Sequence, residues 1–134
     1  LLQKISEYYN LNITPAIRQE LANYTNSDIL LKSTTVCIIG PPDRNYPSRF
    51  SMQDRQVVQL YQDLSLEAVL SDDGAILKFC RDHGIPHYCC LSLFALMHQQ
   101  GHVSPEIARE WIDHTRDLGR YSDWVIQKAL DMLI

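Results

Sequence analysis

The sequence predicts an α/β protein: a parallel sheet with helices on both faces and a helical C-terminal tail. Three observations carry that prediction. The apolar runs at residues 35–39 and 68–70 are too short for helices and suit strands buried in a sheet. Stretches with helical apolar spacing alternate with such runs, which implies parallel pairing through helical crossovers. The last ~35 residues are helical by pattern and are expected to pack as a helical hairpin on one side.

The bulk numbers bound the answer. A chain of 134 residues is long enough for one domain with a proper core. It is 46% hydrophobic and 21% charged, and no stretch reaches the ~20 consecutive apolar residues of a membrane span. The net charge of −4 removes any global basic footprint, so a nucleic-acid site would have to be local or use metal ions to offset the charge. Cys37, Cys80, Cys89 and Cys90 contain no CxxC. They read as small, buried, reduced residues of a cytoplasmic protein.

Taken in order, residues 1–9 carry apolar side chains at helical spacing, and residues 11–13 form a short strand candidate. Thr14-Pro15 starts a helix: Thr14 caps it and Pro15 takes the first helical position. Ile17, Leu21 and Tyr24 form its inward stripe, with Glu20 beside it. Residues 28–32 fit either a short helix or a loop. Residues 35–39 are the clearest strand, and residues 40–50 an exposed loop rich in proline. Ser51 opens the next helix, with Asp54 at the capping-box position and Val57, Val58, Tyr61 and Leu64 inward.

After the strand at residues 68–70, Ser71, Asp72 and Asp73 precede a helix through Ile76, Leu77, Phe79 and Cys80, which ends at Gly84. Residues 86–90 read as a strand and residues 91–100 as a helix ending at Gly101. Ser104-Pro105 caps a helix with Ile107, Trp111, Ile112, Thr115 and Leu118 inward, ending at Gly119. Ser122 caps the last, with Val125, Ile126, Ala129, Leu130 and Leu133 inward.

The chemistry-bearing residues are the acids. Two carboxylates lie where a strand stops and a helix starts, and α/β sheets bind ligands past the carboxyl ends of their strands. Asp and Ser are also ordinary helix caps, and acids there complement the helix dipole. Parallel topology would bring Glu20, Asp54 and Asp73 to one sheet edge, with carboxyl carbons within about 12 Å if they share a cation. Gathered carboxylates are stable mainly around a hard ion such as Mg²⁺ or Mn²⁺, which activates water for phosphodiester cleavage.

At this point the chain resembles the PIN domain family, small α/β nucleases, and most closely the prokaryotic predicted nucleic-acid-binding PIN proteins. The resemblance covers residues 1–134 as a single domain and implies a three-layer sandwich. Thr14-Pro15-Ala16-Ile17-Arg18-Gln19-Glu20-Leu21 is similar to the family's proline-led helix and places Glu20. Gln53-Asp54-Arg55 is similar to the segment of the next acid, and Leu70-Ser71-Asp72-Asp73 to the hydroxyl–any–Asp signature. The resemblance then implies a toxin-type ribonuclease that hydrolyses RNA phosphodiester bonds. Glu20, Asp54 and Asp73 would be catalytic and would hold Mg²⁺ or Mn²⁺, with Asp72 assisting. Ser71, Arg49 and Arg55 would contact substrate. RNA, a protein antitoxin and a second copy of the chain are the partners it implies.

The family opens on an Asp-bearing strand, and none precedes the first helix in this sequence. A gap, a substitute strand or a dimer contact is therefore expected beside residues 36–39. The alternative is a PIN-like domain that binds RNA or a protein and does not cut. A further rival is an unrelated α/β module in which every acid is a cap.

Other constellations are weaker. His98 and His102, and likewise His83 and His87, have a zinc-compatible spacing, but Gly101, Gly84 and Pro86 interrupt the helices they would need. No residue marks an activated thiol for a Cys/His pair. Trp111 and Trp124 fall on apolar helix faces and read as core. Arg44, Arg49 and Arg55 surround Asp54 in sequence and are candidates for phosphate contacts.

Overall fold

Cap chemistry and apolar spacing set the elements of the computed structural model, which describes residues 2–23, 28, 32, 34–37, 45–119 and 121–133. The class is mixed α/β. In chain order the elements are α1 (Leu2–Ser6), β1 (Asn12–Ile13), α2 (Pro15–Leu21), β2 (Thr35–Val36), α3 (Met52–Asp63), β3 (Val69–Leu70), α4 (Gly74–Asp82), β4 (His87–Tyr88), α5 (Cys90–Gln99), α6 (Pro105–Asp117) and α7 (Asp123–Asp131). Among the described residues the strands form two separate ladders, β1 with β2 and β3 with β4. The chain divides into two compact units, Leu1–Val69 and Leu70–Ile134.

In the first unit, β1 and β2 run parallel, with Asn12 opposite Thr35 and Ile13 opposite Val36. Thr35 N–H donates to Leu11 C=O at 2.8 Å and Cys37 N–H to Ile13 C=O at 2.9 Å. Thr14 is fully buried, and its Oγ1 accepts Ile17 N–H at 3.3 Å, with Pro15 next to it. The inward stripe expected on α2 is only half-buried at Ile17 and Leu21, and Tyr24 lies outside the described residues. Ile38, Ile39, Asp43 and Arg44 also lie outside them.

Helix α3 buries Val58, Gln59 and Leu60. Burying the Gln59 amide is tolerable because it is bonded on both sides. Its Nε2 donates to Asp63 Oδ1 at 2.8 Å, and its Oε1 accepts Tyr46 O–H at 2.7 Å. Leu64, expected inward, is 47% exposed because it is the C-cap, where the stripe has run out. Ser65 follows in the left-handed region at φ 51°, and Leu66 N–H closes the turn on Tyr61 C=O.

Leu70, the first residue of the second unit, is exposed while Val69, the last of the first, is buried, so β3 buries one face and not two. The expected strand at residues 86–90 shortens to His87–Tyr88, and α5 begins at Cys90, one residue earlier than expected. Ser92 explains that start: its Oγ accepts Cys89 N–H at 2.9 Å and donates to Cys89 C=O at 3.0 Å. Helix α5 buries Leu91, Leu93, Phe94, Ala95 and Met97, nearly its full circumference. Helices α6 and α7 pack on each other as the expected hairpin of the last ~35 residues, and both also pack on α5. Ala108, Ile112 and Thr115 face inward from α6, and Ile126, Ala129 and Leu130 from α7.

Three apolar residues of these helices do not follow the expected pattern. Ile107 is 40%, Leu118 58% and Trp124 71% exposed. Ile107 stands in the first turn of α6 and Leu118 is its C-cap, so both sit at the margins of the contact. Trp124 lies instead under the Lys128 ammonium, 5.4 Å from its ring centroid. Trp111 is half-buried against Phe94, with ring centroids 5.3 Å apart. Among the cysteines only Cys80 is buried, and the other three are half-buried. No helix of the described residues is long and apolar enough to cross a membrane.

Candidate functional site

The turn Ser71-Asp72-Asp73 is built by the end of one strand and the start of one helix. Ser71 N–H continues the ladder to Tyr88 C=O at 3.0 Å. A little further along both chains, Cys90 N–H donates to Asp72 Oδ1 at 2.9 Å. The carboxyl ends of β3 and β4 therefore lie side by side, and α4 and α5 start next to one another. Ligands of open α/β sheets bind in this position.

The two adjacent acids have different tasks. Asp73 is the N-cap of α4, and its Oδ1 accepts Ala75 N–H at 2.8 Å and Ile76 N–H at 3.1 Å. Its own N–H donates to Ser71 Oγ at 3.0 Å, so Ser71 shapes the cap. Asp72 reaches away from that helix, toward the first residue of α5 and the phenol of Tyr121, whose O–H donates to the same Oδ1. Each carboxylate thus meets the positive end of a helix, α4 for Asp73 and α5 for Asp72. Burial first, and then the hydrogen bond and charge of Asp72, push the Tyr121 phenol well above its ordinary pKa. It stays a protonated donor at neutral pH.

The remaining predicted site residues belong to the first unit. Asp54 forms a capping box with Ser51: Asp54 N–H donates to Ser51 Oγ at 3.1 Å, and Ser51 N–H to Asp54 Oδ2 at 3.1 Å. Glu20 is exposed in the last turn of α2. Arg49 is exposed in the turn before α3, and Arg55, in its first turn, is half-buried with its Nε buried and lacking a partner among the described residues.

A hard divalent cation wants several oxygens in one place. The set implied for it is not gathered within either unit: Glu20 and Asp54 belong to the first, Asp72 and Asp73 to the second. Among the described residues no group of three or more His, Cys, Asp or Glu is placed to hold a metal ion. Asp54, Asp72 and Asp73 each have an oxygen engaged by a backbone amide. Among the described residues the histidine pairs join no group of three or more such ligands.

Tyr121 was not legible as a member of the site, because 49 residues separate it from Asp72. Ser92 has a local signal in the sequence, a hydroxyl three residues after the N-cap position. Compared with family models, with curated proteins and with solved structures, the chain matches none.

Proposed function

We propose that the chain is a PIN-like domain that binds RNA without cutting it, and that its signature acids hold the fold. The likeness of residues 14–21, 53–55 and 70–73 to the family's motifs supports this reading of the fold and the ligand class. The observation that favours a domain that does not cut is the engagement of the acids. Asp73 caps α4, Asp72 ties α5 and Tyr121, and Asp54 is half of a capping box. RNA would then be met by a local cationic contact, since the net charge of −4 gives no general attraction. Exposed Arg49, ahead of α3, and Arg55, in its first turn, are the residues of that contact. The four cysteines are thiols, in keeping with a cytoplasmic setting.

The second reading is the Mg²⁺- or Mn²⁺-dependent ribonuclease of toxin type, with Glu20, Asp54 and Asp73 as ligands and Asp72 assisting. The place of the acidic turn past two strand ends favours it. The sandwich arrangement, a protein antitoxin and a homodimer belong to both readings. A labelled single-stranded RNA incubated with the protein and millimolar Mn²⁺ separates them. The proposal expects retained, salt-dependent binding that weakens in Arg49→Ala and Arg55→Ala, with the RNA intact. Cleavage lost in Asp73→Asn would establish the nuclease, and no binding at any salt concentration would remove RNA as the ligand.

A further inference from the structure

Tyr121 lies in the short connection between α6 and α7, one residue before the Ser122 cap. Its hydroxyl donates to Asp72 Oδ1, 49 residues earlier, and the same oxygen accepts Cys90 N–H at 2.9 Å. One carboxylate oxygen therefore joins three places: the turn after β3, the first residue of α5 and the approach to α7. The caps of the neighbouring helices are provided elsewhere, by Asp73 for α4 and by Ser122 for α7. The Asp72 contacts bridge elements, and that is their distinct role. We propose that Tyr121 and Asp72 form a latch that couples the seating of α7 to the state of the acidic turn.

A group that takes the Asp72 carboxylate from Tyr121 thereby loosens α7, and loosening α7 frees the carboxylate from the phenol. The coupling is reciprocal, because both events share one bond. Helix α7 has something to lose: Ile126, Ala129 and Leu130 are buried along it, and the latch holds its N-terminal end. The phenol remains a donor well into alkaline conditions, since burial and then Asp72 itself keep its proton on. Hydrogen bonds to a charged acceptor are the stronger class, which suits a single contact that fixes a connection.

Hydrogen exchange of the full chain tests the latch in Tyr121→Phe, Asp72→Ala and the double variant. Tyr121→Phe keeps the ring and its packing, so the fold persists. Exchange at residues 127–131 is expected to rise roughly tenfold in either single variant, the loss of one charge-assisted bond. The double variant should exchange no faster there than Asp72→Ala alone. The Cys90 amide should accelerate strongly in Asp72→Ala, which removes its acceptor, and little in Tyr121→Phe, which leaves it in place. Wild-type exchange in α7 for either single variant, multiplied effects in the double variant, or equal acceleration of Cys90 in both single variants would overturn the latch.

Discussion

Ser51 and Asp54 bind each other's backbone amides, each at 3.1 Å, and so close the first turn of α3. This reciprocity accounts for Asp54 without any ligand. Ser51→Ala and Asp54→Ala should each lower stability by about 1 kcal/mol. Their effects should add to less than the sum, since each bond needs the same turn to persist. Urea denaturation of the two single variants and the double measures this. A neutral Asp54→Ala would show that the box contributes nothing and would free Asp54 for another task.

Ser65 occupies the left-handed region at φ 51° just past the end of α3, where helices usually place glycine. A side chain there costs roughly 1–2 kcal/mol. Glycine relieves that strain but loses more chain entropy on folding, so Ser65→Gly should gain about 0.5–1 kcal/mol net. Ser65 is exposed, so no packing is disturbed. A lower melting temperature in Ser65→Gly would contradict this account of the α3 terminus.

Asp82 shows how the sign of a pH effect follows from its partner. The hydrogen bond from Lys78, at 2.9 Å, holds the Asp82 carboxyl below its ordinary pKa. A carboxyl depressed by folding adds stability above its unfolded pKa and loses that contribution as pH falls through the folded value. Lys78→Met should therefore move the Asp82 titration, followed by carboxyl NMR, back up toward the ordinary range. The acid limb of the stability curve should become shallower. An unmoved titration would mean that the pair does not persist in solution.

Helix starts were legible because their chemistry is local. Thr14, Ser51, Ser104 and Ser122 cap as expected, and Pro15 and Pro105 take the first turns. The stops at Gly84, Gly101 and Gly119 were legible for the same reason, since φ of 67°, 78° and 69° demands glycine. The outer margins of the apolar stripes were not legible. Ile107, Leu118 and Trp124 fit the helical period, but the period does not say how far the neighbouring helix extends. The strands at residues 11–13, 68–70 and 86–90 are shorter than expected, since side-chain caps and turns take over, while residues 38–39 of the 35–39 run lie outside the described residues. At the candidate site the capping roles of Ser71, Asp73 and Asp54 could be read locally. The Asp72–Tyr121 contact could not, because no periodicity links residues 49 positions apart.

The proposed function assigns Asp54, Asp72 and Asp73 to the fold and not to a metal, and melting with and without millimolar Mn²⁺ tests that proposal most directly. A cation bound to the folded state would add roughly 2.7 kcal/mol at a hundred times its dissociation constant. Wild type, Asp73→Asn and Asp73→Ala are compared. Asn keeps the cap on α4, while Ala removes it at a cost of about 1 kcal/mol. The account predicts no Mn²⁺-dependent rise in wild type, near wild-type melting for Asp73→Asn and lower melting for Asp73→Ala. A rise in wild type at millimolar Mn²⁺ that Asp73→Asn abolishes would contradict it and would make Asp73 a metal ligand.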